Sequence, residues 1–168
     1  MALYVIGDLH LSLSGDKSMD IFPGWHNYVD RIQQNWLAKI RPEDTVVLAG
    51  DTSWGMSFAE AKADFEFVNA LPGQKIILKG NHDYWWETAA KMNAFFAEHE
   101  IHTLQLLHNN CFYYGNYALC GTRGWFSDEE TPDMAHNRKV LNREAMRLET
   151  SMKAAGGRQI LCFLHYPP

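Results

Sequence analysis

Four short apolar runs in this sequence are each followed at once by side chains that can bind a metal ion. The runs LYVI, TVVLA, KIILK and QILCFL lead into GDLH, GD, GNHD and H. A glycine after each of the first three runs lets the backbone turn sharply where a strand stops. One such motif alone is typical of a simple turn, because Gly, Asn and Asp favour turns. Four of them at successive strand ends favour a shared site.

Helix-like stretches separate the first runs. Apolar residues recur at helical spacing within residues 25–40, 58–68 and 89–99, and this predicts three amphipathic helices. The segment SFAE, which starts at Ser57, opens the second helix with a capping-box sequence. Strands that alternate with helices predict a parallel sheet with crossover connections.

Beyond residue 100 the sequence favours short strands broken by turns. Asn109–Asn110 and Gly115–Asn116 are predicted to form hairpin turns. The run QILCFL, residues 159–164, is expected to form a final buried strand. A last helix is expected before it, with one apolar face formed by Leu141, Ala145, Leu148 and Met152.

Composition limits the class of protein. The chain has 168 residues, 46% of them hydrophobic and 21% charged, which predicts one globular domain over residues 1–168. The net charge of −5 disfavours an extended nucleic-acid partner, which needs a basic face. Three cysteines without C-x-x-C spacing indicate small buried side chains in a reducing compartment. No run is long enough for a membrane span, so we expect a cytoplasmic protein.

Parallel strands bring their C-terminal ends to one edge of a sheet, where ligands bind. We therefore expect the polar side chains at the strand ends to converge: Asp8, His10, Asp51, Asn81 and His165. Carboxylates, imidazoles and an amide suit Mn, Fe, Zn, Co or Ni ions, and the sequence does not decide among these. Two such ions about 3.5–4 Å apart can act together in displacement at phosphorus.

This series of motifs, D-x-H, G-D, G-N-H-D and H, resembles that of the calcineurin-like metallophosphoesterases. The resemblance implies a two-sheet β-sandwich of mixed strands flanked by helices, with a dinuclear metal centre. It implies that Asp8 and His10 hold one metal, that Asp51 bridges, and that Asn81 and His165 hold the second. His82 would then be the general acid that protonates the leaving oxygen, with a metal-bound hydroxide as the nucleophile.

The sequence departs from the family at one motif, because it contains no G-H-x-H. The expectation is that the chain is truncated at its C-terminus, or else that its site is degenerate. If truncated, the domain is incomplete, and the chain alone should bind metals weakly and hydrolyse little. The segments GDTSWG and GNHD also lack the second Asp and the Arg of the protein Ser/Thr phosphatases, which disfavours that subclass.

Three residues near the motifs are candidate substrate contacts. Trp54 and Trp85 follow the metal motifs directly, and each could stack on a base or pack in the core. Arg123, in the loop GTRGW, could bind a phosphate or pair with a carboxylate. The sequence thus favours a metal-dependent phosphohydrolase for a small phosphomonoester or phosphodiester, for example a nucleotide. The alternatives are a catalytically inactive binding or scaffold module of the same fold and, less favoured, a nuclease. Oligomeric state is left open.

Overall fold

The computed structural model describes residues 1–15, 17–125 and 134–167. It divides into two compact units, residues 1–77 with 81–106 and residues 78–80 with 107–168. Each unit has its own sheet, and the described residues form four α-helices in all. This α/β fold with two sheets confirms the predicted fold class. The single domain over residues 1–168 stays a prediction.

The first unit is built on a four-stranded parallel sheet. Its strands lie in the order in which they occur in the chain, and all three pairings are parallel. The strands are β1 (Leu3–Ile6), β2 (Thr45–Leu48), β3 (Gln74–Ile77) and β4 (Leu104–Leu106). The connecting helices are α1 (Tyr28–Lys39), α2 (Phe58–Ala70) and α3 (Ala89–Glu98).

The start of α2 follows the predicted capping box with one change. The Ser57 hydroxyl accepts the backbone N–H of Glu60 at 3.4 Å, as a capping residue does. The Glu60 carboxylate accepts the N–H of Met56 at 3.0 Å, one residue before the position expected for a capping box. Both bonds satisfy N–H groups at or next to the first turn of α2, because the N–H groups of a first turn have no partners within the helix.

A lysine is fully buried in the first unit. Lys75 lies in β3, and its ammonium donates to the carbonyl oxygens of Leu71 and Gly73 just after α2. Burial lowers the pKa of Lys75 to about 8, because the charged form loses its hydration. The side chain thus satisfies carbonyl groups beyond the end of the helix while its own charge is disfavoured.

The second unit contains a three-stranded mixed sheet and one long helix. In it β5 (Phe112–Tyr114) pairs antiparallel with β6 (Tyr117–Thr122), which pairs parallel with β7 (Gln159–Leu164). The predicted hairpin at Gly115–Asn116 is confirmed. The hairpin predicted at Asn109–Asn110 is wrong, because β4 pairs with β3 in the other sheet and never with β5.

The predicted face of the last helix, α4 (Met134–Lys153), is also wrong. Leu141 and Met152 are exposed, and the buried positions are Val140, Glu144 and Ser151. Two of these are polar and are satisfied in place: Thr122 donates to the Glu144 carboxylate, and Ser151 accepts the N–H of Gly121 at 3.1 Å. Counting apolar residues therefore placed the buried face one position away from the observed one.

The last strand is not the buried strand that its composition predicted. In β7, Gln159 and Cys162 are exposed and the other four residues are half-buried. Among the described residues, β7 is the outermost strand of its sheet. Cys162 in β7 is exposed, Cys111 is half-buried, and only Cys120 is buried as all three were expected to be. Among the described residues, no helix is long and apolar enough to cross a membrane.

Candidate metal centre

Two loops run side by side beyond the ends of β1 and β2. The N–H of Asp8 donates to the Gly50 carbonyl at 3.0 Å, and that of His10 donates to the Asp51 carbonyl at 2.9 Å. The pairing then continues as an isolated bridge between Leu11 and Ser53. These backbone bonds place the first two predicted motifs against each other.

The three site residues of these loops have an unusual backbone. Asp8, His10 and Asp51 have φ angles of 57°, 45° and 54°, in the left-handed region that residues other than glycine seldom adopt. Such conformations cost of order 1–3 kcal/mol each and persist where the surroundings impose them. The paired loops impose them here, and the result is that the side chains turn towards one another.

One imidazole nitrogen lies between two carboxylates. His10 Nε2 is 3.5 Å from Asp8 Oδ1 and 3.7 Å from Asp51 Oδ2. Two atoms that bind one ion at about 2.1 Å each lie at most about 4.2 Å apart, so both separations suit shared coordination. The Asp51 side chain is 2% exposed and that of Asp8 58%, which leaves the centre accessible from the Asp8 side. Carboxylate and imidazole donors fit a divalent ion such as Mn²⁺ or Zn²⁺.

The third motif, GNHD, hydrogen-bonds to the same Asp51 carboxylate. The backbone N–H of His82 donates to Asp51 Oδ1 at 2.8 Å, while Oδ2 faces His10. The imidazoles of His10 and His82 lie with their centroids 5.7 Å apart. Asn81, the residue before His82, is half-buried. The structure therefore brings together Asp8, His10, Asp51 and His82 from the first three motifs, and metal binding by Asn81 stays a prediction.

Asp83 is a buried residue that the sequence analysis did not assign. Its Oδ2 accepts the N–H of Asp51 at 2.9 Å, and its Oδ1 accepts the N–H of Thr52 at 2.8 Å and of Ser53 at 3.3 Å. The indole N–H of Trp85 donates to the same Oδ1 at 3.0 Å. Asp83 thus fixes the loop that carries Asp51. The sequence places this acid at the end of the third motif, but it does not show the direction of the Asp83 side chain.

A second buried acid also accepts hydrogen bonds from these loops. The Asp64 carboxylate of α2 accepts the Ser53 hydroxyl and the N–H of Leu13. Burial raises the pKa of Asp64 above its ordinary value, although both hydrogen bonds act in the opposite direction. Burial also raises the pKa of Tyr28, with the Asp64 charge as a smaller cause, and the Tyr28 hydroxyl donates to the His10 carbonyl at 2.9 Å.

Aromatic rings surround the two imidazoles. Trp54 stacks on His10 with centroids 4.8 Å apart and interplanar angle 25°, and its ring is 4.6 Å from that of His82. Trp25 is 6.2 Å from His10 on another side, although its spacing assigned it to a helix face. The Tyr84 ring is 6.0 Å from that of His82, with its hydroxyl 3.5 Å from Nδ1. Trp25 and Tyr84 were not predicted as neighbours of the site.

The substrate-stacking role predicted for Trp85 is wrong. Trp85 is 1% exposed, and its ring packs edge-on against Phe65 of α2 at 4.7 Å. Its indole N–H is taken by Asp83, so no ring face is open to a ligand. Trp54 is half-buried, and its predicted contact with substrate remains a prediction.

The other predicted residues lie in the second unit. His165 follows β7, and its N–H donates to the Arg123 carbonyl at 3.1 Å. The Arg123 guanidinium is 3.5 Å from Glu144 and lies 4.6 Å above the Trp125 ring. Burial lowers the pKa of Arg123, and the Glu144 charge opposes this shift. Arg123 thus pairs with a carboxylate, one of its two expected alternatives. Phosphate binding by Arg123 and metal binding by His165 stay predictions.

The sequence matches the calcineurin-like phosphoesterase family over residues 1–167. The chain belongs to this family. No curated protein matches it significantly.

Two solved structures are similar to this family member. The phosphopantetheinyl hydrolase of Mycobacterium tuberculosis is 12% identical, with a TM-score of 0.55, and the match covers 98% of this chain and 68% of the other. A protein of unknown function from Aquifex aeolicus is 18% identical with a TM-score of 0.49, and the match covers 90% and 75% of the two chains. At these identities the first likeness supports the fold alone.

Proposed function

We propose that this phosphoesterase-family chain is a metal-dependent phosphohydrolase that cleaves a small phosphomonoester or phosphodiester. The observation that carries the proposal is the position of the Asp51 carboxylate. One of its oxygens faces His10 Nε2 and the other accepts the His82 N–H. A carboxylate shared in this way can link a metal ligand from one strand end to the residues that follow another.

We propose that the donor set holds two divalent ions. Asp8, His10 and Asp51 would supply two carboxylates and an imidazole to one ion, and Asp51, Asn81 and His165 are the ligands we propose for the second. When bound, the ions would activate water and neutralise charge on the phosphoryl oxygens. Mn²⁺ is the ion that we would test first, because oxygen and imidazole donors suit it.

The residues of the chain would do the remaining work. His82 is held by its backbone to Asp51, and its ring lies 4.6 Å from that of Trp54 and 6.0 Å from that of Tyr84. From there we propose that it donates a proton to the leaving oxygen of the substrate, a step that general acids commonly supply. Asp83 would keep Asp51 in place during turnover without contacting the substrate itself.

A nucleotide is the substrate that we favour within this class. Tyr84 is 53% exposed beside His82, so its ring offers an open face to a flat group such as a base. The net charge of −5 favours a small substrate over extended nucleic acid. A cytoplasmic location, inferred from the cysteines, remains part of the proposal.

The test is hydrolysis of p-nitrophenyl phosphate and bis(p-nitrophenyl) phosphate after chelation and again after addition of Mn²⁺. The proposal predicts turnover that needs the added ion, that is slow because the sequence contains no G-H-x-H, and that is lost in Asp51→Asn. Asp30→Asn, which changes an exposed acid on α1, is the matched control and should keep activity. If Mn²⁺ binds and neither ester is cleaved, the alternative of an inactive binding module of this fold is favoured instead.

A further inference from the structure

A buried carboxylate in the second unit is paired with two arginines. Glu144 of α4 is 2% exposed, and its Oε1 accepts from Arg147 at 2.7 Å and lies 3.5 Å from a guanidinium nitrogen of Arg123. Its Oε2 accepts the hydroxyl of Thr122 at the end of β6. Removing one partner of a buried ion pair leaves an uncompensated charge behind. The charge of Glu144 therefore keeps the Arg123 guanidinium against α4.

Arg123 connects this carboxylate to the residues that follow β7. Its side chain is 13% exposed, and its guanidinium lies over the Trp125 ring, which is a favourable cation–π position. The backbone carbonyl of Arg123 accepts the N–H of His165 at 3.1 Å and that of Tyr166 at 2.9 Å. A displacement of Arg123 would therefore act directly on the backbone of His165.

A second set of contacts holds the same loop, residues 123–125. The Trp125 indole donates to the side-chain oxygen of Asn137 in α4 at 3.2 Å, and its ring packs edge-on against Tyr166 with centroids 5.3 Å apart. Gly124 has a φ of 72°, and a Cβ added there would lie 3.0 Å from the Tyr166 carbonyl oxygen. The loop thus contacts α4 as well as the segment after β7, so that α4 and this segment are linked at two points.

We propose that Glu144 is a positioning residue, which acts through Arg123 to fix His165 where the second metal ion would bind. This inference rests on the proposed function, in which His165 is a ligand of that ion. Without the Glu144 charge, the Arg123 guanidinium would be a buried cation that lacks its carboxylate. Its movement towards solvent would withdraw the Arg123 carbonyl from the N–H groups of His165 and Tyr166.

The first measurement needs no metal. NMR follows hydrogen exchange of the backbone amides in chelated wild type and in Glu144→Gln, which keeps the shape of the side chain and removes its charge. Hydrogen-bonded amides exchange only when the bond opens, so the amides of His165 and Tyr166 should exchange about tenfold faster in the variant. Leu119 in the middle of β6 should be unchanged. Glu149→Gln, which changes an exposed acid on the same helix, is the matched control.

Two results of this measurement would overturn the proposal. One is unchanged exchange at His165 and Tyr166 in a folded Glu144→Gln variant. The other is an equal increase at these amides and at Leu119, because a general loss of stability speeds exchange throughout a unit. In that case Glu144 stabilises the second unit as a whole and does not position His165.

The second measurement is calorimetric titration of the same proteins with Mn²⁺. We expect Glu144→Gln to weaken the second ion about 10–100-fold, as loss of a group that orients a ligand does. The first ion should bind as before, because its other proposed ligands lie in the first unit. Equal affinity for both ions in wild type and variant would overturn the proposal. Absence of a second ion from wild type would contradict the proposed function, whereas the exchange rates decide separately whether Glu144 positions His165.

One further variant and one further ligand complete the test. Gly124→Ala crowds the Tyr166 carbonyl and leaves every charge in place, so it tests the same link if Glu144→Gln fails to fold. It should speed exchange at His165 and Tyr166, and unchanged exchange there would overturn the proposal. Inorganic phosphate, as an inhibitor of turnover, tests the other role of Arg123. Weaker inhibition in Glu144→Gln, with exchange unchanged, would mean that Glu144 orients Arg123 for phosphate and would overturn the positioning of His165.

Discussion

The carboxylate of Asp51 is shared between two motifs, since its Oδ1 accepts the N–H of His82 at 2.8 Å while its Oδ2 lies 3.7 Å from Nε2 of His10. Neither contact is local in sequence. The first depends on the loop after β3 and the second on the loop after β1. Any metal ion held by Asp51 therefore depends on both loops.

Asp83→Asn should destabilise the protein and weaken metal binding together. The substitution removes a buried charge that accepts four N–H groups, and it turns an NH₂ group towards at least one of those donors. We expect a loss of about 2–4 kcal/mol in the free energy of unfolding, measured by urea denaturation. Glu66→Gln on the surface of α2 is the control. A stable variant with normal metal affinity would show that Asp83 does not position Asp51.

His82→Ala should lower kcat and leave metal content unchanged. A general acid contributes about 10²–10⁴-fold, and this contribution matters most when the leaving group is a poor one. We therefore expect a large loss for an alkyl phosphate and a small loss for p-nitrophenyl phosphate. Comparing kcat for the two esters tests this directly. An equal loss for both would remove His82 from the general-acid role.

Trp54→Ala should lower metal affinity, because the Trp54 ring stacks on His10 and also contacts His82. Loss of a group that orients a metal ligand typically costs 10–100-fold in affinity, and Trp54→Phe should recover most of it. Calorimetric titration with Mn²⁺ measures both variants. If metal affinity is normal and only KM for a nucleotide rises, then Trp54 contacts the base and does not position the imidazoles.

Lys75→Met should change how stability depends on pH. The pKa of Lys75 falls from an ordinary 10.5 to about 8 in the folded protein. The stability associated with the neutral amine is therefore present above pH 10.5 and is lost as the pH falls through 8. Below that, the stability lost through the buried charge is constant at roughly 3 kcal/mol.

Urea denaturation between pH 7 and pH 10 measures this effect. Wild type should lose stability relative to Lys75→Met as the pH is lowered, whereas Lys39→Met, which removes an exposed lysine, should track wild type. A difference between wild type and Lys75→Met that does not change with pH would mean that the lysine titrates normally.

Residue patterns were sufficient for much of the fold and for the main members of the site. β1, β2 and β3 are short apolar runs followed by glycine, and parallel pairing of such runs necessarily collects Asp8, His10, Asp51 and His82 at one edge. The contact between Asp8 and His10 follows from the D-x-H spacing once the loop is fixed. These inferences rely on local periodicity and on strand topology, both of which can be predicted from a single sequence.

The remaining features depend on the direction of individual side chains. The sequence does not show that Asp83 points back to the loop after β2, or that Trp85 points into the core while Trp54 does not. In α4, Glu144 and Ser151 are buried because distant residues such as Thr122 and Gly121 satisfy them. A hydrophobicity pattern cannot anticipate polar burial that is compensated from elsewhere in the chain.

The most direct test of the central claim is the binding of Mn²⁺ to the intact chain and to Asp51→Asn, with Asp30→Asn as the control of equal charge. The account predicts that the chain binds Mn²⁺, that Asp51→Asn weakens binding at least tenfold, and that Asp30→Asn leaves it unchanged. Isothermal titration calorimetry after chelation gives all three affinities. Equal Mn²⁺ affinity in the chain and in Asp51→Asn, with both folded, would contradict the assignment of Asp51 to a metal centre.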